Sequence, residues 1–378
     1  MRRLLLLAPA FLCAGALVAS ALAADPDQGQ EWFLAAVGAA QTAAPGPGIP
    51  LTIVDSGVDA SQPDLAGRPG TTYLNAQTVT GQGEFHGTEV ASVAAAPANG
   101  IGIVGVYPQA KVDVWDATSA PGSVLPAPGV AAAPCPGVIE LSLGATKRDP
   151  QLEAAIDTAQ RRGCLVVAAA GNEAGQGNPT IYPAAYLHVL AVGASDENGR
   201  RASFSSYGPW VDLLAPGTDI EADTTTGHDA SGTVQDAGTS FSAAIAAAGA
   251  AWVWTERPSL SAAQLFALLK KTAVGGVVNI PAALHAPTPP IDPREPNDTV
   301  AEAAAQPALT TASHRTARIA GTLDAVKDPR DLYRIYGHPH LTVSGHAMAR
   351  VSGSYAVVTL AHGATSTSYV LRVSVRGR

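Results

Sequence analysis

Gly238-Thr239-Ser240-Phe241-Ser242-Ala243 opens an apolar run, rich in Ala and Gly, that continues to Trp254. Small residues from Ala243 to Ala251 suit a helix packed closely on all sides, and Gly238 permits a sharp entry that leaves Ser240 near the first turn. Backbone N–H groups at a helix start lack intrahelical partners, so they take a capping hydroxyl or bind an oxyanion. Taken alone, Gly-Thr-Ser before an Ala run is more often a cap than a nucleophile. A catalytic Ser also needs a base, held in one tautomer by a third group. Two earlier stretches offer these. Leu51-Thr52-Ile53-Val54-Asp55-Ser56-Gly57-Val58-Asp59 reads as a short apolar strand ending in a carboxylate, followed by a Gly that lets the chain turn. Phe85-His86-Gly87-Thr88-Glu89-Val90-Ala91-Ser92 sets a His just before an Ala-rich helical run.

These three blocks, in the order Asp, His, Ser, resemble the signature blocks of the subtilisin-like serine peptidases, the subtilases. A fourth, Ala168-Ala169-Ala170-Gly171-Asn172-Glu173, is similar to the segment in which that family keeps its side-chain oxyanion donor. The resemblance runs from about Glu31 to Leu284. It implies a serine endopeptidase with Asp55, His86 and Ser240 as the triad and Asn172 as oxyanion donor. It further implies that Ser142-Leu143-Gly144 and Ala169-Ala170-Gly171 border the pocket for the residue before the cut. No cofactor and no catalytic metal are implied. In calcium-binding relatives an Asp and an Asn stand where Asp64 and Asn99 do, but a turn role is the preferred reading of both. Strands and helices alternate, which implies an α/β fold with a parallel sheet flanked by helices.

Met1-Arg2-Arg3, an apolar core from Leu4 to Ala19 and the small-x-small Ala21-Leu22-Ala23 read as a signal peptide over residues 1–23. A secreted protein, extracellular or periplasmic and free of the membrane once the signal is removed, is the expectation. The short stretch from Asp25 to Pro50 is expected to leave no room for the inhibitory propeptide usual in secreted relatives. The formal charge of −8 is uneven, with 24 acids and 11 bases from Asp25 to Pro289 against 7 acids and 10 bases beyond. So acidic a body argues against a nucleic-acid partner. Protein or peptide substrates and a monomer are expected instead. Cys13 leaves with the signal. Cys135 and Cys164 each precede an apolar strand, and the family resemblance sets those strands side by side, leaving open a disulfide or two free thiols.

The catalytic unit is expected over residues 24–284. Within it, Ala117 to Gly137 holds so many prolines that no helix is expected there. Glu140, in the apolar strand Val138 to Leu143, stands where relatives carry an uncharged polar residue and must be paired, protonated or wet; a structural partner ranks above a specificity role. Pro150 to Arg162 and Ser259 to Thr272 read as helices. A Pro-rich linker over 285–296 leads to residues 297–378, where Glu295-Pro296-Asn297-Asp298, Asp328 to Tyr333 and alternating strands resemble a pre-peptidase C-terminal domain, a small β-sandwich. His338 and His340 there read as surface residues. Two other readings keep the same residues: an acyl-transferring ligase or cyclase, and a catalytically silent binding protein.

Overall fold

The computed structural model describes Asp25 and residues 29–77, 85–120, 122–289, 294–298, 300–311, 313–324, 327–337, 339–364 and 366–375. The expected signal peptide and His338 lie outside the described residues. In chain order come α1 (Trp32–Ala36), β1 (Leu51–Asp55), β2 (Thr71–Tyr73), α2 (His86–Ala95), β3 (Val112–Asp116), α3 (Pro126–Ala132), β4 (Val138–Leu141), α4 (Pro150–Arg161) and β5 (Leu165–Ala169). Then follow β6 (Val189–Ser195), β7 (Leu213–Pro216), β8 (Ile220–Asp223), β9 (Thr233–Asp236), α5 (Thr239–Glu256), α6 (Ala262–Thr272) and α7 (Ile280–His285).

Seven strands form one parallel sheet in the order β2-β3-β1-β4-β5-β6-β7. Burial on both faces explains why β1, β5 and β6 read as continuous apolar runs rather than alternating ones. Leu51, Ile53, Val138, Val167 and Val192 face α2 and α5, while Val54, Ile139, Val166 and Ala191 pack with α3 and α4 on the other side. Ala residues along α5 let it lie close on the sheet. Ala243 to Ala248 are all fully buried, so a large side chain there would overpack the layer at a cost of about 1–3 kcal/mol. Because the chain runs from β1 to one edge and returns to β4 on the other side of β1, the strand order reverses there, and carboxyl ends at such a reversal form a crevice. Asp55 ends β1, Ser142 follows β4 and Ala169 ends β5.

Three local expectations need correction. A helix, α3, does form within Ala117 to Gly137, because Pro126 and Pro128 fall in its first turn, where the missing N–H would be unpaired anyway. Gly129 then lets it close on Trp115, whose ring a Cβ would strike. The helix expected from Ser259 starts at Ala262, since Ser261 and Gln264 form the capping box. Gly238 is extended at φ 172°, so the entry to α5 does not draw on the left-handed freedom of Gly. By contrast, α4 matches its expected span within a residue, capped by Asp149 and stopped by Gly163 at φ 89°. Cys135 and Cys164 are joined in a disulfide with Cα atoms 5.1 Å apart.

Beyond α8 (Val300–Ala305), strands β10 (Thr316–Asp324), β11 (Arg330–Arg334), β12 (Pro339–Val343), β13 (Ala347–Ser352), β14 (Tyr355–Leu360) and β15 (Ser366–Val375) make two antiparallel sheets, β10-β15-β12 and β11-β14-β13. Ile319, Leu323, Tyr333, Val358 and Leu371 fill the space between them, as a small sandwich requires. Lys327 ties this layer to the body built on the parallel sheet. Its buried ammonium donates to the carbonyls of Ala184, Tyr186 and Val189.

Candidate active site

Asp55 reaches the crevice because β1 ends on it and Gly57, at φ 87°, turns the chain away. Helix α2 begins on His86 and approaches that turn so closely that a Cβ on Gly87 would collide with the carbonyl of Gly57. Gly87 N donates to Ser56 Oγ at 3.0 Å, fixing the helix start beside β1. The outcome is a pairing of His86 Nδ1 with Asp55 Oδ1 at 2.8 Å, and the same oxygen accepts from Ser56 N at 2.7 Å. Asp55 is 6% exposed and His86 39%, so the carboxylate is shielded while the imidazole meets solvent. Chiefly through the charge of Asp55, with burial opposing, the imidazole is raised to about 9.

Ser240 is the second residue of α5, with its N–H among the unpaired donors of the helix start. Its hydroxyl donates to Ser142 O at a long 3.4 Å, and among the described residues it makes no hydrogen bond to His86. Asn172 sits just past β5. Its Oδ1 accepts from Thr239 N and Thr239 Oγ1, both at 2.9 Å, and Thr239 Oγ1 accepts from Gly171 N at 3.1 Å. The amide is thereby oriented with Nδ2 free to donate, 3.7 Å from where a Cβ on Gly238 would stand.

Parallel pairing of β4 with β5 brings Ser142-Leu143-Gly144 beside Ala169-Ala170-Gly171. Gly144 and Gly171 both press on Ile181, leaving no room for a Cβ at either place. Ala170 is fully buried and donates its N–H to Val192 O, so of the six it supports the wall from behind.

The subtilase family model matches residues 46–313. The chain belongs to the subtilase family. It is 38% identical over 252 residues to M-protease of Shouchella clausii (strain KSM-K16), covering 63% of this chain and 64% of that protein. It is 37% identical to Subtilisin Savinase of Lederbergia lenta, covering 91% of it. The chain thus spans under two thirds of the length of M-protease. Among solved structures, MycP1 with its N-terminal propeptide removed aligns with TM-score 0.56 and 29% identity over 68% of this chain and 98% of its own. A protease from Pseudoalteromonas arctica PAMC 21717 aligns with TM-score 0.59 at 23% identity, over 70% of this chain and 98% of its own, a likeness of fold.

The structural cation that the subtilase resemblance raises can be tested on Asp64 and Asn99. Asn99 serves the turn, accepting from Ile101 N at 2.9 Å and donating Nδ2 to Asp64 O at 3.2 Å. Asp64 does more. Among the described residues none of its buried carboxylate oxygens, nor those of Asp223, accepts a well-formed hydrogen bond, although Asn99, the Ile103 N–H and Gln62 lie close enough to temper the effect of burial. Both groups converge on Gly102, where a Cβ would strike an oxygen of each. Burial raises both carboxyls above their usual range, and the nearness of Asp64 raises Asp223 further. Such a donor set fits a hard cation. Asp223 was missed in the sequence because β8 carries no motif; only the fold brings it to Asp64. His188 was missed for the same reason. It pairs with Asp298, and Glu295 lies within ligand distance of both.

No described helix is long and apolar enough to cross a membrane.

Proposed function

We propose that this subtilase is a secreted serine endopeptidase, hydrolysing peptide bonds in proteins through Asp55, His86 and Ser240 by way of an acyl-enzyme. The observation that carries the reading is the 2.8 Å pairing of His86 with Asp55 in the crevice toward which α5 presents Ser240. With Nδ1–H donated to Asp55, Nε2 is the base that takes the Ser240 proton and returns it to the leaving amine. The carboxylate stabilises the imidazolium so formed. Asn172 Nδ2 and the N–H of Ser240 receive the oxyanion, and the Thr239 contacts hold the amide ready for it. Rotation of the Ser240 hydroxyl off Ser142 O is the adjustment required, in keeping with free enzymes whose catalytic hydrogen bonds tighten on substrate binding.

Asp64 and Asp223 would hold one hard cation, with Asn99 shaping the loop beside it. Its role would be to neutralise two buried charges and tie that loop to β8. The basic and apolar chain start supports secretion, and the separate apolar core after residue 296 supports a C-terminal domain beyond a linker. A fluorophosphonate probe is expected to label the purified protein and fail to label Ser240→Ala. Absence of labelling in folded wild-type protein would overturn the peptidase reading.

A further inference from the structure

Behind the nucleophile, Ser142 Oγ lies 2.5 Å from Glu140 Oε1 and 2.8 Å from the carbonyl oxygen of Ser240. A hydroxyl has one proton to give, and a carbonyl oxygen can only accept. If the Ser142 proton points to Ser240 O, the bond to Glu140 requires a proton on the carboxyl. Were Glu140 ionised, it would draw the Ser142 proton to itself, leaving two bare oxygens facing each other at 2.8 Å. Burial argues the same way. Glu140 is fully buried, and among the described residues its Oε2 has no hydrogen-bond partner, an arrangement that a neutral acid tolerates far better than a carboxylate.

We propose that Glu140 is a neutral carboxylic acid that donates to Ser142 Oγ and so fixes the Ser142 hydroxyl on the backbone carbonyl of Ser240, a positioning residue for the nucleophile. This rests on the peptidase reading of Ser240. The groups around Glu140 divide: Asp55 favours the neutral acid, while a protonated His86 and the Ser142 backbone N–H favour the carboxylate, and burial decides between them. From β1 it is faced by Asp55, and from α2 by His86, itself near Glu89; its register partners in β1 and β5 are Ile53 and Val167. Burial first, and the charge of Asp55 second, push Glu140 up to about 8. Neutrality also spares His86 a second negative neighbour, which would make it a weaker proton donor to the leaving group and harder to discharge as a base. Loss of the Glu140 proton at alkaline pH releases the Ser142 hydroxyl from Ser240 O and adds that charge, and both effects slow the enzyme.

E140Q keeps a donor at this place, whereas E140A removes it. The ratio of kcat for E140Q to that of wild type is expected to stay constant below about pH 7 and to rise above about pH 8. E140A is expected to lose 10-fold or more in kcat at pH 7, on the order of one buried hydrogen bond, with E140Q restoring it. A flat ratio across the whole range, or an E140Q no better than E140A, overturns the proposal. Infrared difference spectra between pH 6 and pH 9 give a readout that needs no turnover: a protonated-carboxyl band present in wild type and missing in E140Q is expected, and identical spectra overturn the proposal even where E140A fails to fold. Fluorophosphonate labelling of wild type, run alongside, reports separately on the peptidase reading.

Discussion

Asp55 and Asp64 flank the turn that follows β1, and both are buried, yet they are treated differently. Asp55 Oδ1 receives N–H donors from Ser56 and His86, while among the described residues neither oxygen of Asp64, nor of Asp223 beside it, accepts a well-formed hydrogen bond. Donors let a carboxylate remain ionised out of water and act on a neighbouring imidazole. A pair lacking such well-formed bonds takes a cation or shares a proton, since two weakly compensated charges side by side are costly to bury. On the proposed reading the first arrangement bears on the reaction and the second on holding the fold together. The comparison therefore breaks if changes at the first site act mainly on stability, or changes at the second mainly on turnover.

The largest effect belongs to the first site. Ser240→Ala or His86→Ala is expected to lower kcat by roughly 10⁴–10⁶, the upper figure being subtilisin's own, and Ser240→Ala to leave the unfolding midpoint unchanged. Asn172→Ala is expected to cost about 10²–10³ in kcat with KM little altered, a size also established on subtilisin; a rise in KM alone would mean that Asn172 binds substrate rather than the oxyanion. At the second site a chelator is expected to lower the unfolding midpoint by about 5–10 °C, the equivalent of roughly 3 kcal/mol, and to have no effect on Asp64→Asn/Asp223→Asn. An unchanged wild-type midpoint would leave a shared proton as the way these two acids are buried.

Smaller is the pH signature of the Asp55–His86 pair. Because the folded imidazole is raised, the pair stabilises the fold in full below the unfolded value near 6.5 and loses that contribution as pH rises through about 9. The acid limb of kcat/KM should accordingly lie above 6.5, and Asp55→Asn should move it down. The smallest change tests the seam. Lys327→Met leaves the Ala184, Tyr186 and Val189 carbonyls without this donor and is expected to destabilise by about 1–3 kcal/mol, with faster proteolytic release of the C-terminal sheets and unchanged kcat.

Much of the fold was legible because it rests on local signals. Short, mainly apolar runs marked β1, β4 and β5, Asp149 and Gly163 marked the ends of α4, and the Ala-rich stretch after Ser240 marked a helix with no wet face. The helix α3 was hidden because prolines were read by number, whereas their position in the first turn is what matters. At the candidate site the residue types and chain order were readable, and so was the demand that Glu140 find a partner.

The chain by itself thus determined the alternation of strands and helices, the order Asp, His, Ser, and a helix start that could hold a nucleophile, since each depends on spacing within a few turns. Tertiary structure alone decided that Asp223 meets Asp64, that Cys135 and Cys164 are bridged, that Lys327 enters the body of the parallel sheet and that the Ser142 hydroxyl stands between Glu140 and Ser240. These are meetings of residues distant along the chain. Their neighbours, and hence their charge state, follow from strand order and register, which no local pattern records.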